Sequence, residues 1–166
     1  YNIRLIEGTT DIDSGAYIRD GIKALKKYGL CKEELWPYHT NDFATPPPQI
    51  CYEDARQRSI TNYRRLSGVN DILDALNNNQ PVVFGMAVYE DFMNIDFIYP
   101  TIPLPKNDES SIGGHAMLMV GYDLKKKAFL AQNSFGKEWG LNGFCWMRFE
   151  YVRQEVYDVW TFDLAN

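Results

Sequence analysis

The chain has 166 residues, of which 45% are hydrophobic, 14% aromatic and 23% charged, with a formal net charge of −5 at pH 7. That length and balance allow one globular domain with a sizeable core, or two small lobes, and argue against a disordered chain. The acidic isoelectric point near 5.0 leaves no basic footprint for nucleic acid, and no apolar run reaches the roughly 18 residues of a membrane span.

Tyr1 to Gly8 (YNIRLIEG) reads as a helix stopped by Gly8, because Ile3, Leu5 and Ile6 are apolar and glycine favours the helix-ending conformation. No capping residue stands ahead of it, which predicts that its first turns lie upstream and that the chain is N-terminally truncated. Asp13-Ser14 offers an N-cap for a second helix, whose expected buried stripe Tyr17, Ile18, Gly21, Ile22, Ala24, Leu25 and Tyr28 ends at Gly29. From Trp36 to Gln49 the prolines, above all Pro46-Pro47-Pro48, predict extended irregular backbone. Short helices are expected over Tyr52–Arg58 and, capped by Asn70, over Asp71–Leu76. Beyond them the pattern turns strand-like at Pro81–Val88, Ala116–Tyr122, Ala128–Gln132, Gly143–Phe149 and Tyr157–Phe162. The polar span Ile98–Ile112 reads as a long exposed loop. Helices first and strands afterwards predict an α+β fold, a helical lobe over residues 1–67 and a β-rich lobe over 68–166.

Only two histidines occur, and one of them, His115, heads an apolar strand in "SIGGHAMLMVGYD". Eighteen residues later comes "QNSFGKEWG", with Asn133 at the end of the next strand. A hairpin through Asp123–Lys127 would set the head of the first strand beside the tail of the second, and Asn133 near His115. An asparagine carbonyl can accept a ring N–H and fix one imidazole tautomer, leaving the other nitrogen for a nucleophile. A lone histidine of this kind is more often structural, and the triple lysine at 125–127 and His39 read as solvated surface. Two histidines and three scattered cysteines form no ligand cluster, so no metal is expected.

With "NSFGKEWG" and "NGFCWMRF" behind it, His115 resembles the second half of a papain-like cysteine peptidase, whose pattern there is N-S-W-G-x-x-W-G-x-x-G-[YF]. "DSGAYIRDGIKALKKYGLCKEELWPY" is similar to that family's Gly-rich turn, helix and Y-P-Y segment, and "QPVVFGMAVYEDF" to the strand opening its β-rich lobe. The resemblance implies a papain-like two-lobe fold, a polypeptide substrate and no metal or organic cofactor. It implies that His115 is general base and acid, that Asn133 orients it, and that Phe135 and Trp139 shield the pair. Ser14-Gly15 matches the paired glycines that bind extended substrate as an added strand, with serine in place of the first. Gly114 would lie along the cleft wall, where a missing side chain lets substrate backbone approach.

The family's reaction also needs a cysteine thiolate at a helix start and a glutamine at the oxyanion hole, and no segment here resembles theirs. Family spacing puts that cysteine about 15–35 positions before Tyr1. Cys31 follows the end of a helix, where the dipole disfavours a thiolate. Cys51 is expected in the loop after the prolines, and Cys145 as a packed thiol in a strand. The chain alone is therefore expected to be inert, with an N-terminal segment bearing the cysteine and glutamine as its partner. The odd cysteine count leans toward a reducing intracellular compartment and equally fits a fragment whose disulfide partners lie elsewhere. The alternative function is a non-catalytic papain-like module that binds extended polypeptide. Other Cys-His enzymes, such as transglutaminase-like ones, usually pair histidine with aspartate, which Asn133 argues against.

Overall fold

The computed structural model describes residues 1–165. They fall into two compact units, Tyr1–Tyr63 with residues 162–165, and Arg64–Thr161. The helices are α1 (Asn2–Glu7), α2 (Ile18–Tyr28), α3 (Gln49–Ala55), α4 (Gly68–Asn77) and α5 (Phe149–Glu155). The strands are β1 (Ile60–Arg65), β2 (Val82–Val88), β3 (Gly113–Asp123), β4 (Ala128–Gln132), β5 (Phe144–Arg148) and β6 (Val156–Leu164).

The first unit is mainly helical. Gly8, at φ 74°, ends α1 by donating its N–H to the carbonyl of Arg4. The Arg4 side chain is buried, donates to the carbonyls of Phe43 and Ile12 and pairs with Asp13 Oδ1 at 3.5 Å, so its charge is met by backbone dipoles and a carboxylate, as burial of an ion demands. Tyr52 of α3 donates its hydroxyl to Asn2 Oδ1 at 2.8 Å and meets the Tyr28 ring edge-on. Ile22, Ala24, Cys51, Ala55 and Ile60 are the buried apolar residues of this unit. Two starts differ from the sequence expectation. Helix α2 begins at Ile18 rather than after Asp13-Ser14, because Gly15 turns the chain at φ 74° and the Tyr17 N–H is taken by Glu7 Oε1. Helix α3 begins directly after Pro48, so Cys51 lies in a helix and not a loop. Proline tolerates that boundary because the first N–H groups of a helix have no partner within it.

The second unit carries the core. The strands of the sheet run in the order β1-β6-β2-β3-β4-β5, and each pairing from β6 through β5 is antiparallel. Met119, Phe129, Ala131, Cys145 and Met147 alternate along β3, β4 and β5 and are all fully buried, together with Phe84 and Met86 of β2. Burying each of the larger ones stabilises the fold by about 1.5–3 kcal/mol, and the period of two puts them on one face. Helices α4 and α5 pack on that sheet. Helix α4 starts at Gly68, earlier than the Asn70 cap predicts, since Asp71 Oδ2 reaches back to the Ser67 N–H at 2.8 Å. Strand β3 starts at Gly113, so His115 is its third residue rather than its head. The span 98–112 is not wholly exposed: Ile102 is buried, and its N–H bonds the Trp146 carbonyl at 2.9 Å. Strand β1 and helix α5 had no counterpart in the sequence reading.

Two consequences can be measured. Gly29 sits at φ 76°, ψ −164°, and a Cβ there would lie 2.0 Å from the Ala55 carbonyl oxygen. Replacing it with alanine combines a backbone region reserved for glycine with a clash against backbone, so Gly29→Ala is expected to cost about 3 kcal/mol or more in urea unfolding. Burial pushes the Cys145 thiol up to about 12 from an ordinary value of 9.0. Between those values the unfolded state has lost a proton that the folded state keeps, so stability falls with rising pH by about 1.4 kcal/mol per unit. Thermal melting from pH 8 to 11 should show a shallower alkaline decline in Cys145→Val than in the native chain.

Candidate active site

The register of one hairpin brings His115 and Asn133 together. Leu118 of β3 faces Gln132 of β4, the last residue of its strand. One step further, Met117 would face Asn133, and His115 is then its diagonal neighbour on the same face, within reach of a side chain. Asp123 closes the turn between these strands by accepting the Lys125 and Lys126 N–H groups at 2.8 and 3.0 Å. The Lys126 N–H contributes most to holding the Asp123 carboxyl below its usual range.

His115 Nε2 lies 2.8 Å from Asn133 Oδ1, and the same oxygen accepts the Ser134 backbone N–H at 2.8 Å. A backbone N–H only donates, so the atom it meets must be the carboxamide oxygen and not the NH2. His115 Nε2 must then carry the hydrogen, and in the neutral ring Nδ1 keeps its lone pair. Asn133 is only 8% exposed, so this bond works in a low dielectric that strengthens it. The Asn133 Nδ2 and Trp139 Nε1 groups are buried and unpaired among the described residues.

The turn after Asn133 is tied at several points. Its N–H bonds the Gly143 carbonyl at 2.9 Å, and the Gly143 N–H bonds the Trp139 carbonyl at 2.7 Å. Gly140 has φ 57°, a Cβ there would lie 2.4 Å from the Phe144 oxygen, and its N–H bonds the Ile95 carbonyl at 3.2 Å. Only glycine combines that backbone with that approach. The turn presents Phe135 with its ring centroid 5.0 Å from the imidazole, while Trp139 is buried 6.0 Å from Phe135. Phe135 itself is 45% exposed.

Gly114 pairs with Ala87, and a Cβ on it would lie 2.8 Å from the Tyr157 hydroxyl, which donates to the Met86 carbonyl at 3.3 Å. Tyr157 and Phe92, whose ring lies 5.7 Å from the imidazole, went unnoticed in the sequence. Both contacts are tertiary and leave no periodic signal. Ser14 and Gly15 belong to the first unit and are exposed on the segment between α1 and α2.

The three cysteines are free thiols. Cys145 is fully buried and held protonated, as above. Cys51 is near the start of α3 but buried, and burial first, then its hydrogen bond to Cys31, pushes its thiol up. Cys31 lies past the C-terminus of α2. None of them sits exposed at a helix start, the setting that nucleophilic attack requires. Among the described residues no group of three or more His, Cys, Asp or Glu could hold a metal ion, and no helix is long and apolar enough to cross a membrane.

Comparison with known proteins agrees with this architecture. The chain is 41% identical over 165 residues to the uncharacterized peptidase C1-like protein L477 of Acanthamoeba polyphaga mimivirus, covering 93% of this chain and 53% of that protein. It thus spans about half the length of the curated relative. The crystal structure of xylellain, a cysteine protease from Xylella fastidiosa, superposes with a TM-score of 0.88 at 37% identity, over 100% of this chain and 68% of that one. Bromelain from Ananas comosus shares the fold at a TM-score of 0.63 and 16% identity, over 91% of this chain and 71% of its own. The sequence pattern of the papain family cysteine proteases matches residues 10–158, and the chain belongs to that family.

Proposed function

We propose that the protein containing this chain hydrolyses peptide bonds through a thioester acyl-enzyme, with His115 as general base and acid and Asn133 as the group that orients it. The observation that carries this reading is the shared Asn133 oxygen, which takes the His115 Nε2–H and the Ser134 N–H together. It leaves Nδ1 as the one imidazole nitrogen available for proton transfer. Phe135 and Trp139 shield the pair, and the exposed Gly114, whose missing side chain makes way for the Tyr157 hydroxyl, lies along the path of an extended substrate. Ser14 and Gly15 are proposed to bind that substrate's backbone.

The nucleophile in this reading is a cysteine outside residues 1–166, because Cys31, Cys51 and Cys145 lack the setting for attack. Its thiol gives its proton to His115 Nδ1, the thiolate adds to the scissile carbonyl carbon, and donors that include a glutamine from the same outside segment stabilise the oxyanion. The proton on His115 Nδ1 passes to the leaving amine as the carbon–nitrogen bond breaks, which leaves a thioester. Nδ1 then takes a proton from water, the hydroxide adds to the thioester carbon, and the thiolate departs. No step calls for a metal or an organic cofactor. By itself the chain should be inert.

Kinetics on the full-length polypeptide test this. His115→Ala should lower kcat/KM on an unfolded protein substrate by about a thousandfold or more, and Asn133→Ala by about 10–100-fold. Iodoacetamide should label one cysteine outside these residues with loss of activity, and Cys145 should stay unlabelled. Substrate binding without turnover and without a reactive thiol would instead support a non-catalytic polypeptide-binding module.

A further inference from the structure

Phe92 stands outside the His and Asn motifs, yet its ring joins them. It is carried on the short 3-10 turn Glu90–Asn94 and is 1% exposed. Its centroid lies 5.7 Å from the His115 ring at 60°, 6.0 Å from Phe135 at 71°, and 5.1 Å from Trp139 at 48°. These are the tilted and edge-to-face geometries that aromatic quadrupoles favour. The segment is tied on both sides of the site. Ahead of it, the Val88 carbonyl takes the Ile112 N–H at 2.8 Å, next to the start of β3. Behind it, the Ile95 carbonyl takes the Gly140 N–H at 3.2 Å, in the turn that follows Asn133. Phe92 is thus wedged between the strand that carries the histidine and the turn that carries the asparagine.

The two phenylalanines around the imidazole are not equivalent. Phe135 is 45% exposed and Phe92 is fully enclosed, so water can reach the ring's cover on the Phe135 side but not on the Phe92 side. We propose that Phe92 is a positioning residue that acts through His115. It sets the imidazole plane and keeps water from the Nε2–H···Oδ1 bond, so that the bond persists through the proton transfers at Nδ1. A smaller apolar side chain at position 92 would fill part of the space but no longer clamp the ring. Water would then compete for Nε2–H.

The proposal rests on the reading of His115 as the acid and base, and the test separates the two. Phe92→Leu and Phe92→Met keep apolar bulk in the core; Phe84→Leu removes an equally buried phenylalanine that lies opposite Met117 on β2 and serves as the control for lost packing. In the full-length protein the solvent exchange of the His115 Nε2 proton, followed by NMR, should quicken about tenfold or more in both Phe92 variants and stay unchanged in Phe84→Leu. With a peptide substrate, kcat should fall about tenfold with KM within a factor of two, again only in the Phe92 variants. Equal exchange in all three variants, after similar losses in Tm, overturns the proposal and leaves Phe92 a core residue. Faster exchange in the Phe92 variants, when the unsubstituted protein turns over no peptide, upholds the role of Phe92 and overturns the catalytic reading instead.

Discussion

One oxygen with two donors organises this half of the molecule. Asn133 Oδ1 accepts from a side chain eighteen residues away in sequence and from the N–H of its own successor. The second bond makes the first directional: it prevents the carboxamide from flipping, and so decides which imidazole nitrogen holds the proton. A buried amide without that local bond could present either its oxygen or its NH2 to the ring. The β3–β4 register, the ties of the turn to Gly143 and Ile95, and the aromatic enclosure all serve to keep that oxygen where it is.

The energetic background of the site is a core that tolerates no water. Met119, Phe129, Cys145 and Met147 are fully buried in the sheet that holds β3 and β4, and such packing transmits displacement rather than absorbing it. The same burial disqualifies Cys145 as a nucleophile, since a thiol pushed up to about 12 stays protonated at neutral pH. The core and the proposed site are therefore divided, with His115 on β3 of that sheet and Asn133 directly after β4. Membership of the papain family agrees with that division, and the roles assigned to individual residues rest on the local geometry.

Much of this was legible in the sequence because it is local. Gly8 stopped α1 where expected, and the apolar runs located β2, β3 and β4 because period-two burial writes itself into residue order. The neighbourhood of His115 and Asn133 followed from a single hairpin. What escaped were elements decided by tertiary partners. Strand β1 reads Ile-Thr-Asn-Tyr-Arg-Arg, with only its first residue buried, so its polarity hid it. Helix α5 follows β5 without a break and has no capping side chain, and Phe149 therefore looked like the end of a strand. The proline run hid where α3 starts, three residues before the expected Tyr52, and with it the helical setting and burial of Cys51. Phe92 sits on a five-residue turn, too short for any period, and its importance lies entirely in three ring contacts.

The central claim is that Asn133 Oδ1 fixes the hydrogen of the neutral His115 ring on Nε2. Long-range proton–nitrogen correlation NMR on the full-length protein, at a pH where the ring is neutral, reads this directly. A protonated Nε2 beside an unprotonated Nδ1 is the predicted result, with the two forms becoming mixed when Asn133 is replaced by alanine. A hydrogen on Nδ1, or a ring that averages between both forms with Asn133 in place, would contradict the account.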